Sequence, residues 1–140
     1  MALSTNGHDT TDVSRPEPLL DELSTPFWTG GATGSLLIAR CRGCGWRLHP
    51  PRPRCPRCYS ADIAPEAVSG DGHVWSFTVS RYQWSPALVP PYTLVLVELV
   101  EQRGLVLLTE LVDCDDAHIG LPVHVRFEPA GRAWAPVFAP

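Results

Sequence analysis

The chain has 140 residues, 19% of them charged, and a formal net charge of −4, which fits one ordinary domain with a small module and argues against a general nucleic-acid binder. No apolar run approaches the ~20 residues that a transmembrane helix needs, and the N-terminus lacks the continuous apolar core of a secretory signal. We therefore expect a cytoplasmic chain with reduced thiols, and neither a membrane nor nucleic acid as its partner.

The N-terminal region changes character after residue 15. Residues 1–15 are small and polar without an apolar period, which predicts a disordered leader. Residues 16–34 predict two helices, the first from Pro18 to Ser24 and a short second one that Thr25 and Pro26 begin. Their apolar residues recur at helical spacing: Leu19, Leu20, Leu23, Phe27 and Trp28. Because so short an apolar helix is unstable alone in water, it covers either this chain's own core or a partner.

Residues 35–60 carry two cysteine pairs, Cys41-Arg42-Gly43-Cys44 and Cys55-Pro56-Arg57-Cys58, after a strand expected at Leu36 to Ile38. Two residues between paired cysteines direct both sulfurs of a tight turn at a common centre. The ten residues between the pairs suffice for a hairpin that brings the two turns face to face. This spacing predicts a zinc ribbon with one structural Zn²⁺ held by four thiolates.

Two other chemistries use paired cysteines. Disulfides are disfavoured by the absence of a secretory signal. A rubredoxin-like iron site for electron transfer uses the same turns, and geometry alone does not separate the two metals. The fifth cysteine, Cys114, is interpreted as a turn residue without a ligand role, and His49 as a structural or surface residue.

The positive charge is concentrated near the cysteines. The chain has no lysine, and six of its eleven arginines fall in the ribbon, where residues 40–58 contain no acid. These six are Arg40, Arg42, Arg47, Arg52, Arg54 and Arg57. A solvated surface explains such a cluster, and the functional alternative is a contact with anions such as the phosphates of a nucleotide or of coenzyme A.

Residues 61–140 have the alternation and turn residues of a β domain. The predicted strands are His73 to Arg81, Tyr92 to Val100, Leu105 to Val112, Val123 to Phe127 and Trp134 to Phe138. Five strands without a long helix predict a mainly β chain that ends in a five-stranded OB-fold barrel. The loop from Tyr82 to Pro91 is too long for a simple hairpin and is a candidate working surface.

Taken together, the motifs resemble a known family. They are Pro26-Phe27-Trp28, the two cysteine pairs, Pro50-Pro51-Arg52, the strand Gly70-x-Gly72-x-Val74-x-Ser76-Phe77-Thr78-Val79, Pro91-Tyr92 and the terminal Pro136-Val137-Phe138-Ala139-Pro140. Residues 16–140 thereby resemble the acyl-CoA-associated family that joins a rubredoxin-like zinc ribbon to an OB-fold. One departure is Tyr59, where the family commonly has glycine.

The resemblance implies a partner. Members of this family accompany thiolase-like proteins, including the sterol-carrier-type thiolases and aldolases of steroid side-chain breakdown, and the thiolase-like subunit carries the catalytic residues. We therefore expect a non-catalytic accessory subunit in a hetero-oligomer, two plus two, that acts on acyl-CoA. The apolar residues of the N-terminal helices are then candidate partner contacts, and Arg52 and Arg54 are candidate contacts for coenzyme A phosphates or for the partner.

The residues themselves agree with a non-catalytic role, because four thiolates close the zinc shell and leave no position for water. No Ser-His-Asp grouping, phosphate loop or carboxylate pair emerges from the sequence. A different class of function, single-strand nucleic-acid binding by the OB-fold, stays an alternative. Its weakness is electrostatic, because residues 61–140 hold four arginines against ten acids.

Overall fold

The computed structural model describes residues 15–140 and confirms the mainly β architecture. Two short helices come first, α1 (Thr25–Thr29) and a 3₁₀ helix (Gly30–Thr33). The strands are β1 (Leu36–Cys41), β2 (Arg47–Leu48), β3 (Ile63–Val68), β4 (Asp71–Ser80), β5 (Tyr92–Leu99), β6 (Val106–Leu111), β7 (Pro122–Ala130) and β8 (Ala133–Ala139). Neither helix in this part of the chain has the length and apolarity needed to cross a membrane.

The prediction of a helix from Pro18 to Ser24 is wrong. Residues 16–21 have no regular structure, and α1 begins at Thr25, where the second helix was predicted to begin. A local turn replaces the helix, because the Ser24 N–H donates to Asp21 Oδ1 at 2.7 Å and the Asp21 N–H donates to Ser24 Oγ at 3.2 Å. Asp and Ser side chains compete in this way with helical hydrogen bonds, and a seven-residue segment is too short to nucleate a helix against them.

The N-terminal segment is instead held against the barrel by ion pairs. Glu17 accepts hydrogen bonds from the backbone N–H and the guanidinium of Arg132, at 3.0 and 2.7 Å. Arg15 pairs with Glu110 and Glu128. The predicted disordered leader otherwise lies outside the described residues.

Five strands close the predicted barrel, in the order β4-β5-β6-β8-β7. Neighbouring strands are antiparallel except β6 and β8, which meet in parallel at Leu111 and Phe138. Alternate residues of β5 point inward, so Val95, Val97 and Leu99 are buried. The prediction of a five-stranded barrel is thereby confirmed.

The ribbon has its own three-stranded sheet, in the order β2-β1-β3. β3 was not predicted as a strand, because its sequence combines Pro65 with Glu66 and alanines, which are poor strand formers. Proline is tolerated there since β3 lies at the edge of the sheet. β3 belongs to the range predicted for the OB-fold, yet it pairs with β1; the predicted domain boundaries stay a prediction.

Ribbon, helix and barrel share one core. Leu36 and Ile38 of β1 and Phe27 of α1 belong to the same buried cluster as the inward side chains of the barrel. Gln102, in the turn after β5, joins the ribbon through two hydrogen bonds with the backbone of Arg47, at 2.8 and 2.9 Å. The ribbon is therefore fixed to one end of the barrel by packing and by hydrogen bonds.

Candidate metal centre and partner surface

The four predicted ligands, Cys41, Cys44, Cys55 and Cys58, converge on one centre. Their Sγ atoms all lie within 4.8 Å of one another, and two of the Sγ–Sγ distances are 3.5 and 3.6 Å. A tetrahedral zinc with Zn–S bonds of about 2.3 Å requires Sγ–Sγ separations of about 3.8 Å. The donor set therefore fits one structural Zn²⁺, as predicted.

Each turn presents backbone N–H groups to the sulfurs, which favours thiolates. The N–H of Cys44 lowers the pKa of the Cys41 thiol. Burial raises the pKa of the Cys55 thiol, but backbone N–H groups, first that of Cys58, outweigh burial and lower it to about 7. The N–H of Ser60 acts in the same direction at Cys58, yet hydrogen bonds with the neighbouring thiols raise the pKa of Cys58 to about 11. Deprotonation is thus favoured at Cys41 and Cys55 and disfavoured at Cys58, and a divalent cation, which binds the thiolates, favours deprotonation of the whole set.

Each cysteine turn is followed by a residue in the left-handed backbone conformation. Gly45, after the first pair, has φ 79, a conformation that glycine adopts without steric cost. Tyr59 takes the equivalent place after the second pair with φ 63. Its N–H donates to the Cys55 carbonyl at 3.0 Å, which parallels the bond from Gly45 to the Cys41 carbonyl at 2.8 Å. The substitution of tyrosine for glycine therefore preserves the turn and adds backbone strain.

We expect Tyr59→Gly to stabilise the zinc-bound protein by about 1 kcal/mol, because a left-handed conformation costs a residue with a Cβ atom about 1–2 kcal/mol and glycine loses part of that gain in the unfolded chain. Thermal unfolding of the zinc-loaded protein measures the change. Tyr59→Ala is the matched control, since it removes the ring and keeps the Cβ atom. An equal rise in melting temperature for both variants would contradict strain as the cause.

The structure divides the arginine cluster in two. Arg40 and Arg47 pair with Glu66, at 2.8 and 3.5 Å, and Arg42 lies 3.8 Å from Asp62. These acids were not predicted as partners of the arginines, because they lie beyond the second cysteine pair and reach the arginines only when β3 pairs with β1.

The remaining arginines of the cluster have no carboxylate partner among residues 15–140. Arg52 and Arg54 are exposed, and Arg54 donates only to the Tyr59 carbonyl, at 3.1 Å. Arg57 lies 4.4 Å from the centre of the Trp46 ring. Within the ribbon, the positive charge available to a ligand is thus confined to the segment from Arg52 to Arg57.

The predicted partner contacts fall into two groups. Phe27 is buried in the shared core, and Trp28 packs against it. Leu19 and Leu23 are 95% and 44% exposed, and Leu20 is partly buried. Of the two uses that the sequence left open, α1 thus covers this chain's own core, and Leu19 and Leu23 stay predicted partner contacts.

His49 is a structural residue at the junction of ribbon and helix. Its ring lies 4.7 Å from the ring of Phe27, centre to centre. Burial lowers the pKa of His49 to about 4, from 6.5. The neutral imidazole is therefore part of the packing between α1 and the ribbon.

Folding requires His49 to be neutral, and in the unfolded chain its pKa is 6.5. Its full contribution to the unfolding free energy is therefore present above pH 6.5 and is lost as the pH falls toward the folded pKa of about 4. Between pH 7.0 and 5.5 we expect the unfolding free energy to fall by about 1 kcal/mol more than in His49→Gln. Urea unfolding at both pH values measures this difference. Because both proteins keep the zinc ligands, equal pH dependence in the two would refute the assignment.

A groove of about 420 Å³ lies where the helix, the ribbon and the barrel meet. Its walls are mostly apolar and come from Trp28, from Pro50 and Pro51, and from the barrel strands. Leu88 of the loop that was predicted as a working surface lies at this groove. Elsewhere in that loop Tyr82 and Trp84 are exposed, with their rings 4.7 Å apart.

These features define a class of protein, a four-cysteine zinc ribbon joined to an OB-fold barrel. Two family profiles match the chain in this order: "ChsH2, rubredoxin-like zinc ribbon domain" at residues 28–64, and "ChsH2, C-terminal OB-fold domain" at residues 65–128. A chain of the solved structure "Ltp2-ChsH2(DUF35) aldolase" is 34% identical, with a TM-score of 0.80 over 89% of this chain and 98% of that one. The protein belongs to the DUF35 family, with a zinc ribbon and an OB-fold of the ChsH2 type.

Two curated relatives are subunits of acyl-CoA enzymes by name. The "Probable enoyl-CoA hydratase alpha subunit" of Thermomonospora curvata is 36% identical over 129 residues, 90% of this chain. The "3-oxo-4,17-pregnadiene-20-carboxyl-CoA hydratase alpha subunit" of Mycobacterium tuberculosis is 36% identical over 103 residues, 72% of this chain. The chain spans 40% and 32% of the lengths of these two relatives.

Proposed function

We propose that the chain is a non-catalytic accessory subunit that binds a thiolase-like enzyme of the sterol-carrier type. In that complex it supports the cleavage or formation of a carbon–carbon bond in an acyl-CoA, with a steroid side chain as the expected acyl group. The observation that carries the proposal is the similarity to the chain of the Ltp2-ChsH2(DUF35) aldolase, which extends over 98% of that chain. The steroid assignment follows the substrate named for the mycobacterial relative.

The metal centre supports a non-catalytic role. Four cysteines fill the coordination sphere of a structural zinc, so the metal offers no position for a substrate or a water molecule. The partner then supplies the reacting groups. Because thiolase-like proteins are themselves usually dimers, a two-plus-two assembly follows.

The groove and the unpaired arginines together suit an acyl-CoA. Pro50 and Pro51 line the apolar groove, and Arg52 follows them directly in the chain. In the proposed complex the acyl group lies along the apolar wall, and the coenzyme A phosphates meet Arg52 and Arg54. Guanidinium groups are suited to this contact because they bind phosphate oxygens in a bidentate manner.

Reconstitution tests the proposed function. A thiolase-like protein of the sterol-carrier type, from the organism that produces this chain, is assayed for cleavage of a steroid side-chain acyl-CoA, alone and with one equivalent of the chain. We expect the chain alone to be inactive and the mixture to turn over at least tenfold faster than the thiolase-like subunit alone. Turnover by the isolated chain, or an enzyme indifferent to its presence, would contradict the proposal.

The arginine contact makes a separate prediction. In the reconstituted complex, the double variant Arg52→Glu and Arg54→Glu is expected to raise KM for acyl-CoA about tenfold or more, because two attractive charges become repulsive and each phosphate contact is worth about 1–3 kcal/mol. Arg103→Glu, an exposed arginine in the turn between β5 and β6, is the control for net charge. Unchanged KM with unchanged assembly would remove these arginines from the site.

A further inference from the structure

The second half of β4 has an unpaired edge. β4 pairs with β5 along nearly its whole length, from Gly72 to Ser80, but with β7 only from Asp71 to His73. Val74 still bonds the loop before β7, through Leu121 and Gly120. Beyond it, residues 75–80 pair only with β5 within the described chain. Backbone N–H and C=O groups on the side away from β5 are therefore open to another strand.

Large apolar side chains accompany this edge. Trp75, Phe77 and Val79 are 53%, 37% and 40% exposed, at alternate positions of the strand. A register shift between Val74 and Ser76 marks a bulge at Trp75, and bulges at sheet edges re-aim a side chain. Ile119, 70% exposed, lies beside them, because the N–H of its neighbour Gly120 donates to the Val74 carbonyl.

Open edges are ordinarily protected by charged residues, by proline or by a covering segment. The sequence Trp75-Ser76-Phe77-Thr78-Val79-Ser80 contains neither a charge nor a proline. The edge and its apolar side chains thus fit an extended polypeptide that supplies both backbone hydrogen bonds and apolar contacts. Charge restricts the docked segment further, since Arg81 follows the edge at one end, and the exposed Asp115 and Asp116 belong to the loop that bonds Val74 at the other end.

We propose that residues 75–80 dock an extended segment of the partner enzyme as an added strand of the barrel. The identity of the partner rests on the proposed function. Six residues of strand span about 20 Å, so the docked segment has a similar length. It carries apolar side chains at alternate positions, with an acidic residue toward Arg81 and a basic residue toward Asp115 and Asp116.

Amide hydrogen exchange tests the added strand directly. In the isolated chain we expect the outward amides of residues 75–80 to exchange quickly, and in the complex with the purified thiolase-like subunit at least tenfold more slowly. Val79→Lys places a charge on the docking edge and is expected to weaken binding of that subunit about tenfold or more. Val100→Lys is the matched control, because Val100 is an exposed valine in the turn after β5 and its N–H donates to the carbonyl of Asp71, at the other end of β4. This variant is expected to bind as the original chain does.

The outcomes separate this inference from the proposed function. Tight binding with residues 75–80 unprotected, or equal binding by Val79→Lys and Val100→Lys, overturns the inference alone. No binding of the unaltered chain to the thiolase-like subunit overturns the proposed function and the inference with it. Protection of the edge by self-association, seen as a concentration-dependent dimer that Val79→Lys abolishes, assigns the edge to a second copy and also overturns the inference.

Discussion

Cys41→Ser is expected to lose zinc and to unfold the ribbon. Cys41 and Cys55 are fully buried, and the cluster around them consists otherwise of a few side chains, with Leu48 as its one buried aliphatic residue. So small a core does not support a fold, and structural zinc contributes about 10–16 kcal/mol of apparent binding energy in zinc-finger peptides. Because Leu36 and Ile38 of β1 are part of the main core, loss of the ribbon also destabilises the barrel.

Elemental analysis with thermal unfolding checks this prediction. We expect one zinc per chain in the unaltered protein and less than about one tenth of that in Cys41→Ser, with a lower melting temperature. Cys114→Ser, outside the cluster of ligands, is the control and should retain one zinc. Iron in the isolated protein would favour the electron-carrier alternative, and zinc retained by Cys41→Ser would contradict the four-ligand site.

Phe27→Ala is expected to destabilise the protein by about 3–5 kcal/mol, the range for removal of a buried phenylalanine. The side chain is 9% exposed, and it contacts Trp28 and His49 with ring centres 4.9 and 4.7 Å away. Its removal thus opens a cavity where α1, the ribbon and the barrel meet. The effect is one of stability and does not depend on a partner.

Leu19→Ala is the control for Phe27→Ala, because Leu19 is 95% exposed and its truncation should change the unfolding free energy by less than about 0.5 kcal/mol. Urea unfolding of both variants measures the contrast. Similar losses in the two would show that the N-terminal segment packs differently.

Deletion of residues 16–28 removes Phe27 from the core, so partner binding is better tested by Leu19→Ser and Leu23→Ser, which leave the core intact.

The metal centre could be predicted because each cysteine turn is determined by residues that are neighbours in the chain. Two residues between paired cysteines determine each turn almost independently of the rest of the fold, and Gly45 readily adopts the positive φ that ends the first turn. The barrel strands could be predicted equally well, from alternation along β4 and β7 and from dense runs of leucine and valine in β5 and β6. The resemblance to a known family added the expected partner, which no spacing or alternation indicates.

What the sequence did not indicate depends on distant contacts. The N-terminal leucines have helical spacing, yet the turn at Asp21 and the pairing of Glu17 with Arg132 favour an extended segment. β3 forms a strand only because it pairs with β1. Glu66, on β3, neutralises arginines that look unpaired in the sequence.

The proposed function makes this chain a subunit of a thiolase-like enzyme. The most direct test is to capture the tagged, zinc-loaded chain from the cells that produce it and to identify and quantify the bound proteins by mass. We predict a thiolase-like protein in near-equal amount, and a complex whose mass in solution corresponds to two copies of each chain. Recovery of the chain alone, or with nucleic acid in place of an enzyme, would contradict the account while leaving the zinc ribbon and the barrel unaffected.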